Sequence, residues 1–282
     1  MKKSKILVPA MAVLTLSTAA AVTGTVAWYF SSRTASIQAS AITSFNPEAG
    51  LKVTLTGGEG TTVGTASSTV DTTPATVTHE LMRDASVDVE NGKVYRVVLD
   101  REGNPVEYNE VTELKDGTNT DNKDYYFATT YTAKFELNNA TSGKTYALYY
   151  DNSKLTAEGA AGVKESLRIG FKFGSDFFVV APFRTQLAKA QNYIKDGAVA
   201  QYADAKLFLS GEQNLTGLNN SVEDADKDSF EGYMGTLTGT GNITATVYTW
   251  FEGNDETSKA ELVDEEALTA KFSFTLAEVI EA

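Results

Sequence analysis

Apolar and polar residues alternate with a period of two through most of this chain, a pattern that suits strands with one buried face and little else. LKVTLT puts Leu51, Val53 and Leu55 on one face. In FATTYTAKFEL, Phe127, Thr129, Tyr131, Ala133, Phe135 and Leu137 share a face, and Ala128, Thr130, Thr132, Lys134 and Glu136 share the other. LRIGFKF alternates Leu167, Ile169, Phe171 and Phe173, and NITATVYTWF sets Ile243, Ala245, Val247 and Thr249 against Thr244, Thr246, Tyr248 and Trp250. LTAKFSFTL gathers Leu268, Ala270, Phe272, Phe274 and Leu276 on one face. FFVVAP, with its continuous apolar run, reads as a strand buried on both faces.

Residues 93–114 read as a hairpin, because VYRVVL and PVEYNEVTEL flank the turn-forming DREGN. Gly174 to Asp176 turns between LRIGFKF and FFVVAP. One helix is expected from Arg184 to Lys195, where Leu187, Ala190 and Ile194 recur at helical spacing and Gly197 offers a C-terminal stop. A second short turn covers Ala198 to Ala205, followed by the small strand KLFLS and an acidic, Asn-rich loop from Gly211 to Ser229. Residues 57–76, rich in Gly, Ser and Thr, read as a surface loop. About ten strands with one or two short helices predict an all-β fold, a jelly-roll-like two-sheet sandwich.

The N-terminus carries an export signal. Lys2, Lys3 and Lys5 form a positive start, and the 25 residues from Ile6 to Phe30 hold no charge. Small residues at Thr25 and Ala27 fit cleavage after Ala27, which makes residues 1–27 a signal peptide and 28–282 a single domain. The other reading keeps residues 6–30 as an anchor, since about 20 apolar residues span a bilayer. Thr15, Ser17, Thr18, Thr23, Gly24 and Thr25 dilute that run and Pro9 interrupts it, which favours cleavage. The expected location is extracellular or at the cell surface.

Removing residues 1–27 takes three of the 24 basic residues and none of the 37 acidic ones, leaving 21 against 37, a net charge of −16. Such a chain is a poor partner for nucleic acid, whose phosphates need cations. The sequence has no cysteine, so disulfides, thiolate metal sites, thiol nucleophiles and a lipid-modified cysteine are all excluded. Stability must come from a core, and 255 residues are enough to build one.

The sequence completes none of the common catalytic sets. His79 in VTHELMRD is the one histidine, and Arg83 stands where a HExxH zinc site needs its second imidazole. No GxSxG accompanies it, and TGGEGTTVGT lacks the GK[ST] ending of a phosphate loop. Paired carboxylates such as Asp255 with Glu256, or Glu265 with Glu266, read as solvated turns. The best metal candidate is EDADKDSFE, where Asp224, Asp226 and Asp228 alternate as in a calcium loop. Position six is Ser229 rather than Gly, and position twelve is Gly235 rather than Glu, so that loop is incomplete. No other cofactor is expected and the chain is not expected to be an enzyme.

Two stretches resemble a known group. TVAWYFSSRTASIQAS is similar to the processing region of the TasA and camelysin-like family, exported surface or biofilm-matrix fibre proteins of Gram-positive bacteria. VYTWFEGNDETSKAELVDEEALTAKFSF resembles the closing strand pair of related surface proteins, which have a cysteine shortly after the acidic turn where this chain has Ser258. The resemblance covers about 45 of 282 residues and leaves 57–230 without an assigned role. It implies a jelly-roll sandwich, export through a dedicated signal peptidase, and assembly into a head-to-tail homopolymer by donor-strand exchange, with accessory matrix proteins as further partners.

The residues allow that last step on physical grounds. A short, small-residue strand after a leader buries itself poorly in its own sheet, and unpaired sheet edges accept added strands. Residues 34–43 would complete a neighbour through Ile37, Ala39 and Ala41, with Trp28, Tyr29 and Phe30 as aromatic anchors at the junction. The competing reading makes 34–43 an edge strand of its own domain and 28–30 interfacial aromatics of an uncut anchor. Two functions are therefore expected of such a chain, as alternatives: a secreted fibre subunit, and a membrane-anchored surface module that binds glycan or protein.

Overall fold

The computed structural model describes residues 35–41, 49–57, 64–67, 75–79, 84–100, 102, 104–111, 128–138, 143–159, 164–203, 206–259 and 268–281. For 35–41, 57, 64–67, 75–79 and 129 only the backbone is described. All belong to the unit Arg33–Ala282.

In chain order the strands are β1 (Ala35–Ala41), β2 (Gly50–Gly57), β3 (Gly64–Ser67), β4 (Ala75–His79), β5 (Asp84–Asp88), β6 (Lys93–Leu99), β7 (Pro105–Val111), β8 (Ala128–Asn138), β9 (Thr145–Tyr150) and β10 (Thr156–Glu158). They continue with β11 (Leu167–Phe173), β12 (Asp176–Ala181), the one-turn helix α1 (Leu187–Ala190), β13 (Asn192–Lys195), β14 (Ala198–Gln201), β15 (Leu207–Leu209), β16 (Ser221–Glu223), β17 (Tyr233–Thr238), β18 (Asn242–Glu252) and β19 (Leu268–Ile280).

These make the expected all-β sandwich. The first sheet runs β17-β9-β19-β1-β4, with β10 and β16 also on β19. The second runs β15-β12-β11-β18-β5-β6-β7, with β8 on β18, β2 on β8 and β3 on β2. The long strands are shared in series: β8 pairs with β18 from Asn242 to Trp250, and β5 takes over in parallel at Phe251 and Glu252.

The alternation predicts the inward faces correctly. Leu51, Val53 and Leu55 of β2, Tyr131, Ala133 and Phe135 of β8, and Leu268, Ala270, Phe272, Phe274 and Leu276 of β19 are all buried in one core. Aromatic rings join the two sheets across it: Phe135 meets Phe274 edge-on at 4.7 Å and Phe171 meets Phe272 at 5.4 Å. Tyr150 stacks on Phe178 at 5.0 Å. Each such side chain contributes roughly 1.5–3 kcal/mol by leaving water.

The second half of β18 and the middle of β19, from Phe272 to Ala277, are buried on both faces. Ser273, Thr275 and Ala277 are buried beside the main core's residues: the Asp151 backbone N donates to the Ser273 carbonyl, the Thr275 hydroxyl donates to the Asp151 carboxylate, and the segment after β15 packs Leu218 and Val222 against Ala147, Tyr149 and Ala277. Asn152 and Asn214 pin this cover. Asn152 Nδ2 donates to the Leu209 and Glu212 carbonyls at 2.8 and 3.0 Å, and Asn214 Nδ2 donates to the Tyr150 and Glu231 carbonyls at 2.7 and 2.8 Å.

The helix expected from Arg184 to Lys195 is cut to the single turn α1. Residues 192–195 instead form β13, paired with β14 where a second turn is expected. Asp196 and Gly197 sit at φ of +50° and +78°, the two left-handed positions that a tight two-residue hairpin needs. Gly197 thus closes a hairpin rather than a helix.

Candidate assembly site

β1 lies inside the first sheet, not at its edge. It pairs in parallel with β19 over seven residues, from Ala35 with Leu268 to Ala41 with Phe274. On its other side it pairs antiparallel with β4 over five, from Ala35 with His79 to Ala39 with Ala75. This corrects the reading that 34–43, if kept in its own domain, is an edge strand. The physical reason is that main-chain hydrogen bonds on both sides hold it, so its seating does not depend on bulky side chains.

The register sets Ile37 beside Ala270, Ala39 beside Phe272 and Ala41 beside Phe274. Those partners on β19 are 0–1% exposed. Large and small residues thus alternate across the pair, Ile37 beside Ala270, and Phe272 and Phe274 beside alanines. On the opposite edge of β19, β10 pairs with Thr269–Lys271 and β9 with Phe274–Glu278. β16 lies collinear with β1, parallel to Glu278–Ile280. Trp28, Tyr29 and Phe30 lie outside the described residues.

The calcium candidates are not brought together. Asp224 is exposed and engaged by Lys227, whose Nζ donates to its Oδ1 and its backbone oxygen at 2.8 Å. Asp226 and Asp228 are exposed on the same turn. Among the described residues no three His, Cys, Asp or Glu side chains stand close enough to hold a metal ion. His79 ends strand β4, so it is not on the helix that a HExxH site requires.

Sequence reasoning passes over a buried ionic clasp in the turn after β18. There the paired carboxylate Asp255, expected as a solvated turn residue, is 2% exposed. Its Oδ2 accepts from Arg168 Nη2 at 2.7 Å and Arg184 Nε at 3.0 Å, while Oδ1 accepts from Arg184 Nη2 and from Thr257 Oγ1 at 2.8 Å. Arg184 Nη1 also reaches Glu165 Oε2 at 2.5 Å. Burial works against the Asp255 carboxylate, but Arg184, Arg168 and Thr257 outweigh it and hold its pKa below the ordinary value.

Glu252, three residues earlier, is the opposite case. Its Oε2 accepts from Ser86 Oγ and Trp250 Nε1 at 3.0 Å, and its Oε1 from the backbone N and Nδ2 of Asn254 at 3.1 and 2.8 Å. Burial still raises its pKa, because these donors only partly replace lost water. Ser86 Oγ in turn accepts from Ile194 N at 2.8 Å, so one carboxylate ties β18, β5 and β13 together. Every oxygen of both carboxylates is filled by protein donors, and the arrangement is a clasp. The available signal was an arginine inside an alternating strand, Arg168 of LRIGFKF, whose neighbours Leu167 and Ile169 are core.

Comparison with known proteins adds little. No family model matches the chain, and no curated protein matches it. A solved structure of BcpA, the major pilin subunit of Bacillus cereus, aligns with 89% of this chain and 70% of its own at 10% identity, with a TM-score of 0.10. A likeness at that level carries no argument here. Among the described residues no helix is long and apolar enough to cross a membrane.

Proposed function

We propose that this chain is a secreted, non-enzymatic structural subunit of an extracellular fibre, joined to the next copy by exchange of β1. The supporting observation is the seating of β1: the first strand of its unit, held by backbone pairing between β19 and β4. Being first in the unit, it can be withdrawn without threading the rest of the chain. A neighbour's copy carries the same residues and takes the same register, so exchange preserves every contact and links copies head to tail. The composition, with an acidic surface and no cysteine, and the resemblance at both ends point the same way.

A disulfide lock tests the reading. Ser36 and Thr269 are partners in the parallel register, and strands about 4.8 Å apart lie within reach of a disulfide. The natural chain has no cysteine to interfere. The secreted protein carrying Ser36→Cys and Thr269→Cys should form filaments when reduced and stay monomeric when oxidised first. Filaments grown reduced and then oxidised should give a ladder of covalent oligomers on a non-reducing gel. Filaments from locked monomers, or oxidised filaments that release only internally linked monomers, would overturn the proposal.

A further inference from the structure

We infer that the monomer is self-capped: its own residues 35–41 fill the edge of β19 that would receive a neighbour's strand, and assembly waits on their release. The inference rests on the strand-exchange reading and adds the control of it. β1 is paired on both sides, so it does not peel away like an edge strand. Withdrawing it opens β19 from Leu268 to Phe274 and also strips β4 of the strand beside it in the sheet.

The bared edge of β19 carries Ala270, Phe272 and Phe274, which are 0–1% exposed in the closed chain. Opening therefore loses two rows of main-chain hydrogen bonds and admits water beside the core, so the open form is scarce. The same pairs form whether the strand comes from within or from a neighbour. Affinity for the strand is then not what holds the monomer back; the scarcity of open chains sets how fast it converts, and a free strand's apparent affinity falls with that population.

Two measurements on the secreted protein test this. In hydrogen exchange of the dilute monomer, the amides of 268–274 should be strongly protected, yet less than those of the central strand 245–251, because release of β1 exposes them without unfolding the core. Fast exchange at 268–274 that slows only in filaments would overturn self-capping. Second, a fluorescent peptide of residues 33–43 should be captured by a chain lacking residues 28–43 at least tenfold faster than by the whole secreted chain, roughly the factor by which a scarce open state taxes binding. Equal capture by both would overturn self-capping while leaving strand exchange standing. Filaments from the cysteine-locked monomer would instead remove strand exchange itself. Should the shortened chain fail to fold, the reduced double-cysteine chain replaces it as the receiver: slow uptake of the peptide when reduced and none when oxidised is the expected result, and equal uptake in both forms overturns it.

Discussion

Glu252 and Asp255 sit three residues apart in one buried turn, and their protonation pulls stability in opposite directions. The pKa of Asp255 is lowered on folding, so the folded chain binds fewer protons than the unfolded one once pH drops below the ordinary aspartate value. Its contribution is present at neutral pH and lost as pH falls through the folded pKa. The pKa of Glu252 is raised on folding, so the folded chain binds more protons, and stability rises as pH falls through that raised value toward the unfolded one. A tenfold change in how tightly either carboxylate holds its proton is worth about 1.4 kcal/mol of stability. Urea unfolding followed from neutral pH down to about pH 2 should therefore show the Asp255→Asn chain losing its deficit to the parent only below about pH 4, where the unfolded parent's carboxylate takes up its proton before the folded one does. The Glu252→Gln chain should fall further behind the parent as pH drops from neutral toward 4. Parallel pH profiles for all three proteins would remove the account.

At the scale of elements, the hairpin of β13 and β14 shows what decides between competing local signals. Leu187, Ala190 and Ile194 are spaced for a helix, and Ala188 and Lys189 favour one. Asp196-Gly197 overrides them, because two left-handed residues fit a tight hairpin and admit no continuing helix. Tertiary contacts then reward the strand: Tyr193 stacks on Tyr202 at 4.0 Å, and Tyr202 Oη donates to the Val87 carbonyl at 2.9 Å. A Gly197→Ala chain should lose about 1–2 kcal/mol, the cost of holding an L side chain left-handed, seen as a lower urea midpoint with an unchanged slope. No shift in the midpoint would mean that the turn is not strained. The strand faces of β2, β8 and β19 were legible in sequence because alternation is a local property. The clasp was not, because Asp255 lies 87 residues from Arg168 and 71 from Arg184 in sequence and only the fold brings them together. The double burial of Ala277 was hidden for the same reason, since its cover comes from the distant segment around Leu218 and Val222.

For the whole molecule, the placement of β1 turns a question about an N-terminal segment into one about supply and demand for a single strand. Under the proposed strand exchange each copy would offer one β1 and need one, so closed monomers and fibres would satisfy the same pairings and differ in who supplies them. A chain without residues 28–43 breaks that balance: it needs a strand and has none to give. Alone, it should be less stable than the parent and form no filaments. Mixed with parent at about one part in ten, it should accept a strand from a growing end, offer nothing onward, and shorten the filaments severalfold in electron micrographs. The oxidised Ser36→Cys/Thr269→Cys chain, which neither gives nor receives, should leave filament length unchanged at the same ratio. Shortening by both chains would indicate a nonspecific poison, and filaments built from the deleted chain alone would show that copies join through some surface other than β1.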